Sequence, residues 1–130
     1  MTIAASVVSQ FFDCSTCGNR LARSEFHRNP TKRDGIEAQC RSCTADRKLL
    51  GRYGLTRVRF RQLARDQDDR CPICQDYLPG GLVVDHCHSD GRVRGLLCSK
   101  CNIALGLLRE DPAVINRAAD YITTPPPPTT

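Results

Sequence analysis

The chain has 130 residues, enough for one ordinary domain or two very small ones. Only 5% of the residues are aromatic and there is no tryptophan, which argues against a large hydrophobic core as the main source of stability. Nine cysteines offer another way to hold so small a fold together.

The cysteines and the N-terminus together indicate a reducing compartment. A disulfide framework is typical of secreted proteins, but residues 1–10 have no basic start and only a short, weakly apolar stretch, which makes a poor signal peptide. No apolar run approaches the length of a membrane span. We therefore expect a cytoplasmic protein with metal-bound thiolates and no membrane partner.

Positive charge is concentrated in the first half of the chain. The net charge is +5, but residues 20–65 contain thirteen Lys or Arg and four acids, whereas residues 66–130 contain six and nine. A solvated helical surface is the ordinary interpretation of such a charge run. Beside metal-binding motifs, the same run predicts a footprint for nucleic-acid phosphates.

Eight cysteines form four CxxC pairs, and these pairs define two modules. The first two pairs enclose 22 residues and the last two enclose 23. Two such pairs present four thiolates from opposite sides, which suits tetrahedral zinc better than a set in which a histidine replaces one cysteine. The predicted zinc ligands are Cys14, Cys17, Cys40 and Cys43 in the first site, and Cys71, Cys74, Cys98 and Cys101 in the second.

The first module, residues 1–50, is expected to be a zinc ribbon or a treble-clef-like knuckle. A short strand at Glu25–Arg28 is followed by turn signals at Asn29-Pro30 and Asp34-Gly35. Helix formers then run without a breaker from Thr44 until Gly51.

Residues 51–69 are predicted to be a basic helical linker. Thr56 is a suitable N-cap for a helix that runs to about Asp66. We expect this helix to lie against a DNA backbone. Its apolar face would carry Phe60, Leu63 and Ala64, and its other faces Arg57, Arg59, Arg61 and Arg65.

The second module, residues 70–122, is predicted to contain two strands and two helices. An apolar strand ends in Asp85-His86, a turn follows at Ser89-Asp90-Gly91, and Arg92–Leu97 forms the return strand. The next helix is predicted over Cys98–Leu108. Its core-facing residues would be Ile103, Leu105 and Leu107.

A final helix is predicted over Ala113–Ile122. Asp111 is its N-cap and Pro112 its first residue. The predicted packing residues are Val114, Ile115 and Ala118. Residues 123–130 contain four consecutive prolines and should form a disordered, polyproline-like tail.

The segment Asp85-His86-Cys87-His88 holds two imidazoles and a carboxylate that no structural zinc requires. Strict strand alternation would place Asp85 and His86 on opposite faces, so a shared site requires a bend or a strand end between them. Cys87 is interpreted as a bystander. Asn102 directly follows the last zinc cysteine, which fixes its amide at the start of a helix, although asparagine is also common there for local reasons.

From Cys71 to about Tyr121 the chain resembles the recombination endonuclease VII family of His-Asn-His (HNH, or His-Me finger) nucleases. The resemblance is clearest in Val84–His88 and Gly91–Asn102. It implies a small, zinc-stapled α+β fold with a ββα-metal module, preceded here by the zinc knuckle and the basic linker. The family's best-known member has an acidic residue between the two histidines and a glutamate near the position of Leu105. It also has a long dimerising region that is not evident in this chain.

The resemblance further implies a phage-encoded, metal-dependent DNA endonuclease working in the host cytoplasm. Asp85 and Asn102 would bind Mg²⁺, with Mn²⁺ as a substitute, and His86 would take a proton from the attacking water. His88 would orient the scissile phosphate. Arg92 and Arg94 are candidate phosphate clamps. DNA, a second copy of the chain, and phage packaging or recombination machinery are the expected partners.

Two other functions stay open at this point. A non-catalytic zinc-binding DNA adaptor or regulator would use the basic half of the chain and would not need Asp85, His86 and Asn102. An RNA-binding or RNA-cutting protein shares the phosphate chemistry, and nothing in the sequence distinguishes a 2′-hydroxyl.

Overall fold

A computed structural model describes residues 10–127 of the chain, which divides into two compact units, Met1–Arg57 and Val58–Thr130. Each unit carries one four-cysteine group. Among the described residues, four short α-helices are divided between the units and every sheet has two strands. The predicted α+β class is confirmed. The division into residues 1–50, 51–69, 70–122 and 123–130 stays a prediction.

The first unit consists of two small hairpins and a helix. Strand β1 (Phe11–Asp13) pairs antiparallel with β2 (Arg20–Ala22), and β3 (Phe26–Arg28) pairs antiparallel with β4 (Ile36–Cys40). Helix α1 (Arg41–Tyr53) follows β4 without a break, three residues earlier than the composition predicted. The strand near residue 26 is confirmed. Strands β1 and β2 have three residues each, too few for a readable alternation of apolar and polar residues, whereas the sequence of β4 does alternate and its strand was not predicted.

The core of the first unit is built around its cysteines. Phe26 and Ile36 are buried together with Cys14 and Cys40. Phe12 meets Phe26 edge to face, with 6.2 Å between the ring centroids. The apolar core of this unit is therefore small and is built around two of its four paired cysteines.

The second unit contains three helices and one hairpin. Helix α2 (Arg57–Asp66) begins at the boundary between the units, β5 (Val83–His86) pairs with β6 (Val93–Leu97), and α3 (Ser99–Leu107) follows. Helix α4 (Pro112–Thr123) completes the unit. None of the helices formed by residues 10–127 combines the length and apolar character needed to cross a membrane. These elements lie close to their predicted bounds.

The predicted core face of α3 is wrong at two of its three positions. Ile103 and Leu107 are 61% and 79% exposed, whereas Leu105 is half-buried. Cys101 must turn its sulfur toward the cysteine group, and this requirement sets the rotation of the short helix. Leu105 and Leu108, four and seven residues further on, therefore share the inner face with Cys101.

The predicted start of α4 and its predicted packing residues are confirmed. Asp111 Oδ1 accepts a hydrogen bond from the Ala113 N–H at 2.8 Å, and Pro112 occupies the first turn. The predicted packing residues, all half-buried, are Val114, Ile115 and Ala118.

One residue of the predicted tail is helical. Thr123 is the last residue of α4, and its hydroxyl donates to the carbonyl oxygens of Ala119 and Asp120. Residues 128–130 of that tail lie outside the described part of the chain.

Candidate active site

The structure brings the eight paired cysteines together in the two groups that the spacing predicts. Within each group the four sulfur atoms lie within 4.8 Å of one another, so each group can hold a metal ion. The first group is Cys14, Cys17, Cys40 and Cys43, and the second is Cys71, Cys74, Cys98 and Cys101.

Both groups use the start of a helix to position their second cysteine pair. Cys40 is the N-cap of α1 and its sulfur accepts the Cys43 N–H at 3.5 Å, while Cys98 is the N-cap of α3 and accepts the Cys101 N–H at 3.3 Å. The two units therefore repeat one structural plan without repeating a sequence. A cysteine at the N-cap places its sulfur where backbone N–H groups favour negative charge.

Backbone hydrogen bonds also prepare Cys14 to act as a thiolate. The Cys40 N–H donates to Cys14 Sγ at 3.3 Å. This bond and one from the Cys17 backbone lower the pKa of Cys14 to about 6. Since the thiolate is the form that binds metal, the backbone of this knuckle matches the needs of a metal site.

The hairpin of the second unit contains a β-bulge at the point where the sequence requires a bend. Asp85 lies opposite Gly95, but the next residue, His86, lies opposite Val93, so that Arg94 is an extra residue on β6. A bulge of this kind bends the strand and redirects the side chains around it. The register therefore shifts between Asp85 and His86, the place where a shared site would require a bend or a strand end.

Arg94 uses its position in the bulge to reach Asp85. Its Nε and Nη2 atoms donate to the two carboxylate oxygens at 2.7 and 2.8 Å. Asp85 is buried, with 6% of its surface exposed. The hydrogen bonds from Arg94 hold the pKa of Asp85 below its usual value despite that burial. The carboxylate is therefore ionised and lies beside a cation.

The two imidazoles of the segment lie next to each other. The ring centroids of His86 and His88 are 4.9 Å apart, and the rings meet edge to face. His86 is half-buried, whereas His88 is exposed. The bulge and the turn after β5 thus bring together two side chains that also share a face by simple alternation.

Glu110 is a member of this cluster that the sequence analysis missed. It lies between α3 and α4, and its carboxylate approaches His88 Nδ1 at 3.3 Å and Arg94 Nη2 at 3.3 Å. The hydrogen bond from Arg94 lowers the pKa of Glu110. An acidic residue just before a capped helix has the appearance of an ordinary loop residue, so no sequence pattern distinguished it.

Asn102 lies on α3, half-buried, with its backbone N–H bonded to the Cys98 carbonyl oxygen at 3.0 Å. Helix α3 packs against β5, the strand that carries Asp85. Among the described residues, no hydrogen bond joins the Asn102 side chain to Asp85. A shared role for these two residues in binding one ion therefore remains a prediction.

Arg92 and Cys87 lie in the turn region beside the site. Arg92 is exposed, precedes β6, and donates its backbone N–H to Asp90 Oδ1 at 2.9 Å. The Cys87 sulfur lies 3.0 Å from the Ser89 hydroxyl, a contact that lowers the pKa of Cys87. Cys87 belongs to neither four-cysteine group.

The Gln67 side chain hydrogen-bonds to the backbone of β6 two residues after the bulge. Its side-chain amide donates to the Leu96 carbonyl oxygen at 2.8 Å and accepts the Leu96 N–H at 2.9 Å. A Cβ atom at Gly95 would lie 3.2 Å from Gln67 Oε1, so the glycine leaves room for this close approach. Gln67 thereby continues the hydrogen bonding of β6 beside Asp85.

The first unit carries a cationic groove, which we define by Arg47, Lys48, Arg52 and Arg57. Its volume is about 810 Å³ and its wall also includes Tyr53. The Arg52 guanidinium lies 5.9 Å from the centre of the Tyr53 ring, and Arg57 pairs with Asp46 at 2.8 Å. This groove is lined mainly by α1, with Arg57 at the start of α2, and belongs to the basic half of the chain.

The comparison with known families agrees with this architecture. The model of the family described as recombination endonuclease VII matches residues 45–124. The chain belongs to this endonuclease family, as its resemblance predicted, and it is accordingly a nuclease.

Relatives occur in mycobacteriophages. The Gene 59 protein of Mycobacterium phage D29 is 35% identical over 120 residues, which cover 88% of this chain and 73% of that protein. The Gene 59 protein of Mycobacterium phage L5 is 34% identical with the same coverage. Among solved structures, the ββα-Me type II restriction endonuclease Hpy99I matches with a TM-score of 0.39 and 24% identity, over 87% of this chain and 65% of that chain.

Proposed function

We propose that this chain is a divalent-metal-dependent DNA endonuclease whose catalytic residues are Asp85, His86, His88 and Asn102. The supporting observation is a buried Asp85 carboxylate at a β-bulge, followed along the chain by two imidazoles that contact each other, inside the segment that matches the endonuclease family. A carboxylate that can bind a cation and an imidazole that can take a proton are the groups that metal-assisted phosphodiester hydrolysis uses.

The residues present suit a hard divalent cation. Asp85 offers carboxylate oxygens and Asn102 an amide oxygen, the donor types that Mg²⁺ and Mn²⁺ prefer. Asp85 is buried and ionised, and a metal ion bound there would share or replace its contact with Arg94. When bound there, the metal would neutralise charge on the phosphate and stabilise the leaving 3′ oxygen.

His86 is the proposed general base. As a neutral imidazole it takes a proton from the attacking water, and the product then carries a 5′ phosphate, as in the resembling family. Its place directly after Asp85, with the bulge between them, supports this role. His88, 4.9 Å away between ring centroids, is proposed to orient the scissile phosphate.

Arg94 and Arg92 are proposed to bind phosphate oxygens around the cut. Arg94 lies at the site itself and has a third of its side chain exposed, so a phosphate oxygen can approach its guanidinium from solvent. Arg92 is exposed in the adjoining turn. Both would reduce repulsion between the DNA backbone and the carboxylates.

Zinc is the proposed occupant of both four-cysteine groups. Four cysteine sulfurs within 4.8 Å of one another, with N–H donors beside them, match the donor set of structural zinc. The metal would hold α3, and hence Asn102, against the hairpin that carries Asp85. In this proposal the zinc ions have a structural role and take no part in the chemistry.

The cationic groove of the first unit is proposed to bind the DNA backbone. Four cations line it, and one of them, Arg57, is partly neutralised by Asp46. Contacts of this kind supply affinity without sequence preference. A second copy of the chain and phage packaging or recombination machinery stay predictions as further partners.

The decisive experiment incubates zinc-loaded protein with supercoiled, linear and four-way-junction DNA, and with RNA, in Mg²⁺ or in EDTA. Cutting of DNA that requires Mg²⁺ and falls strongly in His86→Ala supports the proposal. His27→Ala, in the first unit, is the matched histidine control and should cut like the natural protein.

Other results point elsewhere. Full cutting by His86→Ala overturns the assignment of the base. DNA binding without cutting of any substrate favours the adaptor, and preferential cutting of RNA favours the ribonuclease.

A further inference from the structure

We infer that Glu110 is a positioning residue of this site, which holds His88 and Arg94 in place for the phosphate. The inference rests on the proposed function, because it concerns how that same site is assembled. It assigns a role to a residue that lies outside the Asp85–His88 segment and outside α3.

Glu110 contacts both partners through specific atoms. Its Oε1 lies 3.3 Å from His88 Nδ1 and 3.3 Å from Arg94 Nη2, while its Oε2 lies 3.3 Å from Arg94 Nη1. The His88 backbone N–H also points at Oε2, at 3.5 Å. The carboxylate is therefore the common neighbour of the turn after β5 and of the bulge in β6.

The contact with His88 determines which imidazole nitrogen remains available. His88 Nδ1 lies 3.3 Å from Glu110 Oε1, so Nε2 is the ring nitrogen left to contact a phosphate oxygen. A carboxylate that fixes the orientation of a histidine in this way is a common support for functional imidazoles. His88 is otherwise exposed, and such a side chain would sample several rotamers without a partner.

The contact with Arg94 gives the guanidinium a second anion. Arg94 bonds Asp85 and Glu110 at the same time. If the oxygens of Asp85 are engaged by another cation, Glu110 still retains Arg94 beside the site. The side chain of Glu110 is only 17% exposed, so water screens this attraction weakly.

The loop between α3 and α4 has an unusual backbone conformation at Glu110. Glu110 has φ of +54° and the preceding Arg109 has φ of +61°, a region that residues other than glycine seldom adopt. Two such residues in succession turn the chain back toward the hairpin between α3 and α4. The contacts of Glu110 help to maintain this conformation.

The test compares Glu110→Ala and Glu110→Gln with Arg109→Ala, an exposed neighbour in the same strained loop. We expect Glu110→Ala to reduce kcat for Mg²⁺-dependent DNA cutting by roughly 10- to 100-fold, the usual effect of losing such a support, with little change in KM. Glu110→Gln keeps the shape and should lose less, and Arg109→Ala should resemble the natural protein. A kcat for Glu110→Ala equal to that of Arg109→Ala overturns the inference.

A double-mutant cycle with His88→Ala tests whether Glu110 acts through the imidazole. The loss in the double variant should be clearly smaller than the product of the two single losses, because the two residues work as a pair. Losses that multiply would overturn the proposed positioning of His88.

A readout independent of cutting separates this inference from the nuclease proposal. In ¹⁵N NMR spectra of the zinc-loaded protein, the His88 ring nitrogens should shift in Glu110→Ala and stay unchanged in Arg109→Ala. Unchanged His88 signals in Glu110→Ala would overturn the inference even if the protein is a nuclease. If the natural protein cuts nothing, the nuclease proposal fails, and the NMR result still decides whether Glu110 orients His88.

Discussion

Arg94 donates two hydrogen bonds, of 2.7 and 2.8 Å, to the Asp85 carboxylate, so the group proposed to bind metal already has a cationic partner. Asp85 is almost fully buried, and a buried carboxylate without a partner would be costly. The same feature that stabilises the protein therefore competes with a metal ion for Asp85.

Replacing Arg94 with methionine should tighten the binding of Mn²⁺ while it weakens cutting. The buried charge of Asp85 would then lack its partner, and the metal would no longer have to displace a guanidinium. We expect roughly tenfold tighter binding by calorimetry, which corresponds to about 1.4 kcal/mol. Arg117→Met, an exposed change on α4, is the control and should bind Mn²⁺ as the natural protein does. Weaker Mn²⁺ binding by Arg94→Met would show that Asp85 is not the metal ligand.

Cys101→Ala should remove one zinc ion and unfold the second unit. Structural zinc can contribute on the order of 10 kcal/mol of folding free energy, more than the small core of this unit can replace. Zinc content measured by mass spectrometry should fall from two ions to one, with a loss of ordered structure in NMR spectra. Cys87→Ala, which removes a cysteine outside both groups, should keep both ions. Two bound zinc ions in Cys101→Ala would contradict the assignment.

Gln67→Ala should destabilise the second unit by about 1–3 kcal/mol, because it leaves the N–H and carbonyl of Leu96 without their partners. Leu96 is fully buried, so water cannot readily replace the missing amide. Urea denaturation of the zinc-loaded protein measures the change in the free energy of unfolding. Gln62→Ala is a suitable comparison, since the Gln62 side chain bonds to other side chains of α2 on an exposed surface. Equal stabilities of the two variants would argue against the role of Gln67.

Neutralising the cationic groove should weaken DNA binding and leave the chemical step intact. In a variant with glutamine at positions 47, 48 and 52, the slope of log affinity against log salt should become shallower by about 0.9 for each DNA phosphate that the groove no longer neutralises. At saturating DNA, kcat should stay unchanged. A control with glutamine at positions 28, 32 and 33 removes the same charge from another part of the first unit. An equal change in slope for both variants would mean that net charge, and not the groove, governs binding.

Much of the architecture follows from local sequence patterns. The CxxC spacing predicts which cysteines meet, because a tetrahedral metal site accepts two matched pairs and few other sets. The cap at Asp111 and the proline after it predict the start of α4 because they act on the adjacent backbone. The segment Asp85–His88 was recognisable because its residue types are unusual so close together.

The tertiary structure decided which side chains meet around that segment. The bulge at Arg94 arises from the pairing of two strands, so it could not be predicted from Arg94 or its neighbours in the sequence. Glu110 reaches His88 from 22 residues away, across a loop whose positive φ angles depend on the surrounding contacts. The rotation of α3 places the Cys101 sulfur in its cysteine group. The same rotation leaves Ile103 and Leu107 exposed although both are apolar. Local sequence patterns therefore determined the elements and the two cysteine groups of this protein, while long-range geometry determined how its candidate site is assembled.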